Sequence, residues 1–288
     1  MFAKISGYLE LIKFSHSIFA LPFALTSLIL AWQWGLGPGQ NMASTTIWVI
    51  IAMVGARSGA MGFNRWVDQG FDADNPRTAN RPSVTGLVSR GTMISMTFAS
   101  YAILVFAAWK LNEMAFYLSP VAILLVSFYS LTKRFTSFCH LFLGLAIGAA
   151  PVAAWVAARG EISPTSLLIG FSVLTWIAGF DILYALQDLD YDKGAGLHSI
   201  PVSLGVSGSL WLARGLHLAT VICWVLLANW EGLGWIYYGG VTLSAGLLIY
   251  EHGLLLGGDL SKLNLAFFNM NAYISLTLFL AVLLEVTI

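Results

Sequence analysis

The chain has 288 residues, of which 58% are hydrophobic and 10% are charged, and its formal net charge is zero. Soluble domains typically contain about 45–50% apolar and about 25% charged residues, so this composition, with a mean hydropathy of +0.79, indicates a membrane protein. The balanced charge lacks the basic bias of proteins that bind nucleic acid, and no nucleic-acid partner is expected. Cys139 and Cys223 form no zinc or disulfide motif.

Nine apolar segments follow one another along the chain. A spanning helix needs about 20 mostly apolar residues. We therefore predict an all-α membrane protein with one domain over residues 1–288, in which nine transmembrane helices form one bundle around a central cavity. The segments lie approximately at 16–34, 46–63, 92–110, 115–131, 138–158, 165–186, 206–228, 232–250 and 266–286.

The basic residues predict the orientation of these helices, because lysine and arginine accumulate in cytoplasmic loops. With a cytoplasmic N-terminus, twelve of the 14 lysines and arginines fall on the cytoplasmic side and only Lys110 and Arg159 fall outside. Nine spans then place the C-terminus outside. This distribution predicts a multi-pass protein of a bacterial-type inner membrane, in contact with the lipid bilayer.

The acidic residues are concentrated in two loops, at 64–82 and 181–200, after the second and the sixth apolar segments. In the first loop the spacing is i, i+4, i+8, and in the second it is i, i+3, i+7, i+11, so each set falls on one helical face. Both loops are cytoplasmic in the predicted orientation. The two sets are Asn64, Asp68 and Asp72, then Asp181, Tyr184, Asp188 and Asp192, whereas Asp74 and Asp190 fall off these faces.

Stacked carboxylates repel each other near a low-dielectric region unless a cation compensates their charge. Mg²⁺ prefers oxygen ligands and often binds through one or two carboxylates together with substrate phosphate oxygens. Arginines are interleaved with these acids, so the pattern favours a metal-bridged diphosphate on one side of the membrane. Simple solvated loop ends are the alternative interpretation of the same acids.

The two acidic loops are also related to each other by position. Asp68 and Asp72 match Asp188 and Asp192 at a separation of 120 residues. Each pair follows an even-numbered segment, four segments apart. This spacing suggests a duplicated four-helix unit whose two acidic loops face each other.

The motifs N-x3-D-x3-D and D-x2-Y-x3-D-x3-D resemble the two signatures of the UbiA superfamily of intramembrane aromatic prenyltransferases. Further blocks look like family blocks, so the resemblance covers nearly the whole chain. The segment at 196–205 departs from many ubiquinone-type members, which have Lys-Ser where this chain has His198-Ser199. The blocks are IKFSHSIFALPFAL at 12–25, R-x6-N from Arg57 to Asn64, PRTANRP at 76–82, YSLTKRF at 129–135 and GLHSIPVSLG at 196–205.

The resemblance implies a reaction in which Mg²⁺ and protein cations help an allylic polyprenyl diphosphate to ionise, and the allylic cation attacks an electron-rich aromatic ring. Within the superfamily the chain is similar to 4-hydroxybenzoate polyprenyltransferases of ubiquinone synthesis. It is also similar to a branch thought to prenylate a dihydroxynaphthoate in menaquinone synthesis. The expected partners are a polyprenyl diphosphate and a carboxylated aromatic acceptor, either 4-hydroxybenzoate or 1,4-dihydroxy-6-naphthoate.

The resemblance also assigns expected roles to individual residues. Asp181 is assigned either to the metal or to orienting its neighbours, and Tyr184 is the best candidate to face the allylic cation, with Phe63 and Tyr129 as weaker ones. The expected metal ligands are Asn64, Asp68, Asp72, Asp188 and Asp192. The expected catalytic residues are Asp68, Asp72, Asp181, Tyr184, Asp188 and Asp192, and the substrate-binding residues are Arg57, Asn64, Arg77, Arg81, Lys133 and Arg134.

Several of these residues have a second interpretation. Arg57 lies about two turns inside an apolar segment, where it either binds the acceptor carboxylate or pairs with a buried acid such as Asp181. The four basic residues in the loops also fit the positive-inside distribution with no chemical role. His140 and His198 border the loops and either transfer a proton or have a structural or solvated role.

A secondary transporter is the alternative from another functional class, because transporters also have many spans, repeats and buried charges. Transporters usually place ion sites near the bilayer midplane on broken helices. Here the acids cluster toward one membrane face beside arginines, which favours the enzyme.

Overall fold

The structure is a computed structural model, and it describes residues 21–255 and 270–288. The described residues are mainly helical, and one helix overlaps each predicted apolar segment. The start of the first segment, with most of its IKFSHSIFALPFAL block, and the start of the last lie outside the described residues. The helices are α1 (Leu21–Gln33), α2 (Met42–Val67), α3 (Gln69–Asp74), α4 (Arg90–Leu111), α5 (Glu113–Thr132), α6 (Cys139–Arg159), α7 (Pro164–Ala185), α8 (Leu189–Gly194), α9 (Ile200–Glu231), α10 (Trp235–Leu254) and α11 (Asn271–Thr287).

Six of the helices in the described residues are long and apolar enough to cross a membrane: α2, α4, α5, α6, α7 together with α8, and α9. The described parts of α1 and α11 are apolar but shorter, at 13 and 17 residues. The all-helical architecture is therefore confirmed for the described residues, while the count of nine spans and the sides of the two termini stay predictions.

Polar residues at the helix ends explain where several helices begin. Asn41, Ser89, Asn112 and Ser163 each precede a helix, and the side chain of each accepts a hydrogen bond from a backbone N–H of the first turn. These bonds satisfy donors that have no partner within the helix. Helix α6 ends at Gly160, whose φ of 72° is a left-handed conformation that favours glycine.

Helices α6 and α7 pack closely because glycines lie along their interface. A Cβ atom at Gly144 would collide with the carbonyl oxygen of Leu174, and one at Gly148 would collide with that of Gly170. Small residues allow membrane helices to approach at backbone distance. The close packing fixes α6 relative to α7, and with them the side chains that these two helices direct into the cavity.

The two acidic motifs interrupt their helices in the same way. Helix α2 ends at Asp68, which has φ −96° and ψ 5°, and the six-residue helix α3 follows. After α7 a short 3-10 turn spans Leu186–Asp188, where Asp188 has φ −101° and ψ 6°, and the six-residue helix α8 follows. The helix that carries the predicted face of the second motif is therefore interrupted, because this 3-10 turn separates Asp181 and Tyr184 from Asp192.

The hydrophobic core and the cavity occupy neighbouring parts of the bundle. Large buried side chains from α6, α7, α9 and α10 form the core: Trp155, Trp176, Trp224 and Tyr237. A cavity of about 500 Å³ opens beside this core and is lined by α2, α5, α6, α7 and the two acidic loops. The fold therefore provides the central cavity that the sequence predicts.

Candidate active site

All twelve of the predicted site residues line this one cavity. They come from α2, α3, α7, α8, the 3-10 turn before α8 and the segments that follow α2, α3 and α5, although they are spread over 136 residues of sequence. The fold therefore brings residues that are distant in sequence to one place. The twelve are Arg57, Asn64, Asp68, Asp72, Arg77, Arg81, Lys133, Arg134, Asp181, Tyr184, Asp188 and Asp192.

In the first acidic motif, each aspartate pairs with a basic side chain. Arg134 Nη2 donates to Asp68 Oδ1 at 3.0 Å, and Arg81 Nη1 donates to Asp72 Oδ1 at 2.6 Å. Asn64 Nδ2 donates to Asp68 Oδ2 at 2.7 Å. The backbone N–H of Asp72 donates to Asp68 O at 2.8 Å, which continues the helical pattern across the break and keeps the three side chains together.

In the second motif, Arg77 makes a bidentate pair with Asp188: its Nε donates to Oδ1 at 2.9 Å and its Nη2 to Oδ2 at 2.6 Å. Lys133 Nζ lies 2.8 Å from Asp192 Oδ1, and Asp192 is completely buried. Because Arg77 follows the first motif in sequence, its pair with Asp188 joins the two acidic loops across the cavity mouth.

The ionisation of these groups reflects their burial and their partners. Burial raises the pKa of the Asp68 carboxyl, and the hydrogen bond and charge of Arg134 oppose this shift. Burial lowers the pKa of the Arg77 guanidinium, but the hydrogen bond and charge of Asp188 outweigh it and raise the pKa overall. A cation close to Asp68 would oppose the effect of burial and favour its ionised carboxylate.

The donor set fits Mg²⁺ bound together with a phosphate ligand rather than alone. Five oxygen-bearing side chains, those of the predicted metal ligands, meet at the cavity mouth. Within residues 21–255 and 270–288, however, no group of three or more histidine, cysteine, aspartate or glutamate side chains is arranged to hold one ion. Mg²⁺ commonly keeps few protein ligands and completes its shell with water and phosphate oxygens.

Deeper in the cavity, Arg57 on α2 and Asp181 on α7 have separate surroundings. Arg57 Nε is fully buried and has no hydrogen-bond partner within the described residues. His140 Nδ1 lies 2.7 Å from Asp181 Oδ2. The alternative interpretation, in which Arg57 pairs with Asp181, is therefore wrong. Asp181 pairs with His140 instead.

The aromatic candidates occupy different positions. Tyr184 lines the cavity below Arg77, whose Cζ lies 5.6 Å from the ring centroid. Tyr129 also lines the cavity. Phe63 instead packs edge-on against Trp66, with ring centroids 5.8 Å apart, and is not among the cavity-lining residues.

Three side chains at the site lay outside the predicted set of site residues. Arg65 is buried to 8% exposure beside Asp72, at 3.6 Å from Oδ2, and its Nη1 donates to Asn64 Oδ1 at 3.2 Å. Asn75 Nδ2 donates to Asp188 Oδ1 at 3.2 Å. His140 was only a candidate for proton transfer, whereas His198 is exposed and does not line the cavity.

Comparison with known proteins identifies the family of this chain. The UbiA prenyltransferase family matches residues 20–274. A 4-hydroxybenzoate octaprenyltransferase from Tolumonas auensis is 28% identical over 263 residues, which are 90% of this chain and 91% of that protein. A protein of the same name from Aliivibrio fischeri is 29% identical over 271 residues, covering 91% and 93%.

Solved structures share the fold. The apo structure of a UbiA homologue from Aeropyrum pernix K1 superposes with a TM-score of 0.84 at 31% identity, covering 94% of this chain and 98% of that one. A UbiA homologue from Archaeoglobus fulgidus bound to GPP and Mg²⁺ has a TM-score of 0.71 at 20% identity, covering 98% and 100%. This chain belongs to the UbiA prenyltransferase family, and it is a prenyltransferase rather than a transporter.

Proposed function

We propose that the protein catalyses Mg²⁺-dependent transfer of a polyprenyl group from an allylic polyprenyl diphosphate to the ring of a carboxylated aromatic acceptor, with 4-hydroxybenzoate as the acceptor. One observation carries the proposal: four acids of the two motifs each form an ion pair with a different basic residue of the loops around one cavity. The relatives named 4-hydroxybenzoate octaprenyltransferase support the acceptor.

The pairs provide a binding site that rearranges when the substrate enters. Bound Mg²⁺ supplies positive charge to the diphosphate and to the aspartates. We assign its protein ligands to Asn64, Asp68, Asp72, Asp188 and Asp192. Arg77, Arg81, Lys133 and Arg134 then leave their carboxylates and donate to phosphate oxygens, where they stabilise the negative charge that develops as the C–O bond breaks.

The remaining parts of the cavity position the other reactants. Apolar side chains of α2, including Ile50, Met53 and Val54, line it below the acids and accommodate the start of the isoprenoid tail. Tyr184 directs its ring face toward the site of the allylic cation, whose charge it stabilises. Arg57 has an unpaired buried Nε and binds the acceptor carboxylate, which holds the ring for attack.

The distribution of lysines and arginines, most of which fall on the predicted cytoplasmic side, supports an inner-membrane location with the cavity mouth facing the cytoplasm. In that orientation the water-soluble acceptor enters from the cytoplasm and the prenyl tail enters from the bilayer.

Product formation from separate acceptors tests the proposal. Membranes containing the protein receive geranyl diphosphate and Mg²⁺ with either 4-hydroxybenzoate or 1,4-dihydroxy-6-naphthoate. We expect a prenylated benzoate, lost when EDTA is added and recovered with excess Mg²⁺. Product from the naphthoate alone would place the protein in menaquinone synthesis instead, and no product from either acceptor would contradict the proposed function.

A further inference from the structure

The reaction also releases a proton, since the ring carbon that accepts the prenyl group carries a hydrogen that must leave. Within the proposed function, and resting on it, we infer that Asp181 is the base that removes this ring proton and that His140 is the positioning residue that holds Asp181 in place. The inference depends on three features: the hydrogen bonds of His140, the packing of its helix, and the depth of Asp181 in the cavity.

The hydrogen bonds of His140 define its tautomer. The backbone N–H of Ile200 donates to His140 Nε2 at 3.3 Å. Because Nε2 accepts a bond, the proton of the neutral ring lies on Nδ1, from which it is donated to Asp181 Oδ2 at 2.7 Å. In this arrangement His140 Nδ1 donates to the Asp181 carboxylate, and with Nε2 occupied the ring is not itself free to accept a proton.

The surrounding structure keeps this pair rigid. His140 is 2% exposed. It lies on α6 and Asp181 lies on α7, and glycines hold these two helices at backbone contact through Gly144, Gly148 and Gly170. Ile200 begins α9, directly after Ser199, whose side chain caps the helix. Three helices therefore fix the buried imidazole, whereas a quarter of the Asp181 side chain is exposed in the cavity.

The depth of Asp181 matches the expected position of the acceptor ring. Asp181 precedes Asp188 by seven residues, or about 10 Å of helix rise. Arg57 precedes Asp68 by 11 residues, or about 16 Å. By helix rise alone, a ring whose carboxylate is bound at Arg57 extends from there toward the diphosphate and passes Asp181. In this arrangement the carboxylate of Asp181 lies beside the reacting ring carbon and away from the five proposed metal ligands.

The proposed step conserves atoms and charge. The new C–C bond forms as the diphosphate leaves, which places a positive charge on the ring. Asp181 accepts the proton from that ring carbon, and the electrons of the C–H bond restore the aromatic system. Asp181 then returns the proton to water at the cavity mouth, and His140 keeps its Nδ1–H···Oδ2 hydrogen bond throughout.

The test measures kcat, both KM values and the isotope effect with an acceptor deuterated at the carbon that is prenylated. Asp181→Asn removes the base and keeps the shape of the side chain. We expect kcat to fall by about 100-fold or more, the KM for geranyl diphosphate to change by less than about threefold, and a primary deuterium isotope effect to appear that the wild-type protein lacks. A purely structural role for Asp181 would not create an isotope effect.

Two substitutions at the histidine separate positioning from proton transfer. His140→Gln retains both bonds, because its amide NH2 donates and its carbonyl oxygen accepts, so we expect activity within about tenfold of wild type. His140→Phe loses both bonds, and we expect a larger loss of kcat together with the isotope effect. Cys139→Ser, on the same turn of α6, is the control for changes beside the histidine and is expected to keep wild-type kinetics.

The outcomes distinguish this inference from the proposed function. An active wild-type protein whose Asp181→Asn variant keeps its kcat, or loses it without an isotope effect, overturns the role of Asp181. Equal losses in His140→Gln and His140→Phe overturn positioning by hydrogen bonds. If the wild-type protein prenylates neither acceptor, the proposed function itself is contradicted. Binding of geranyl diphosphate by each variant serves as the control that the variant is folded.

Discussion

Asp68 and Asp188, 120 residues apart in the chain, end their helices with the same backbone conformation, at φ −96°, ψ 5° and φ −101°, ψ 6°. Helices α3 and α8, which follow them, also begin and end at the same 120-residue separation. Tyr191 OH donates to Phe71 O at 2.7 Å, so two positions related by this separation touch each other. The internal repeat stays a prediction with which these relationships are consistent, and we propose that the two acidic loops form one site.

Removing either aspartate should abolish most of the transfer activity. Asp68→Ala and Asp188→Ala each remove a proposed metal ligand and leave Arg134 or Arg77 without its carboxylate partner. We expect kcat/KM to fall by about 100-fold or more, as for loss of strong electrostatic stabilisation. Initial rates of geranyl transfer measure this. Asp74→Asn and Asp190→Asn are matched controls, because both side chains are exposed and off the acidic faces, and a comparable loss in them would contradict the assignment.

The contribution of Arg77 to activity should depend on the shape of its guanidinium as well as on its charge. Its planar guanidinium makes two parallel bonds to Asp188, which a lysine cannot reproduce. Arg77→Lys is expected to retain only part of the kcat/KM, and Arg77→Ala to lose about ten- to 100-fold, chiefly through the KM for geranyl diphosphate. Steady-state kinetics at saturating Mg²⁺ measure both. Equal activity of the lysine variant and wild type would show that the bidentate pair has no role.

Arg57 should affect the acceptor alone. Its backbone lies about 16 Å of helix rise from Asp68, on the deep side of the cavity relative to the acids. Arg57→Ala is expected to raise the acceptor KM by about tenfold or more and to leave the KM for geranyl diphosphate nearly unchanged. Measuring each KM with the other substrate saturating separates the two. If only the KM for geranyl diphosphate rises, Arg57 binds the diphosphate and not the acceptor.

The close contact of α6 with α7 should not tolerate a larger residue. Gly148→Val places a side chain against the carbonyl oxygen of Gly170 and forces the helices apart, with an expected cost of about 1–3 kcal/mol. Thermal unfolding in detergent should show a lower Tm, and transfer activity should fall because His140 and Asp181 separate. Gly215→Val is the control, since a Cβ there meets no atom within 4 Å. Unchanged stability of Gly148→Val would contradict the packing argument.

The sequence predicted the helices and the cavity-lining residues well, for physical reasons. Long apolar runs interrupted by polar caps define helices whatever their packing, and acids at helical spacing must share a face. The 3-10 turn at Leu186–Asp188 could not be predicted, because i, i+3 spacing fits either helix type. Asn75 lies in a loop without periodicity, so only the structure shows its bond to Asp188.

The remaining site residues depended on tertiary contacts. Arg65 precedes Asp72 by seven residues, a spacing that places both on one helical face, but only the structure shows that they form an ion pair. His140 has no motif partner in sequence, and it meets Asp181 only because glycines bring α6 against α7. For both Arg65 and His140, the feature in the sequence that could have indicated a site residue is a polar side chain on an otherwise apolar helix.

The central claim is that the two acidic loops form a single site for a magnesium diphosphate. Titration calorimetry with the unreactive analogue geranyl S-thiolodiphosphate tests it most directly, on the wild type, Asp68→Ala, Asp188→Ala and the double variant. We predict Mg²⁺-dependent binding to the wild type, a similar large loss in each single variant, and little further loss in the double variant, because both residues act on one ligand. Normal binding by either single variant, or losses that simply add, would contradict a shared site.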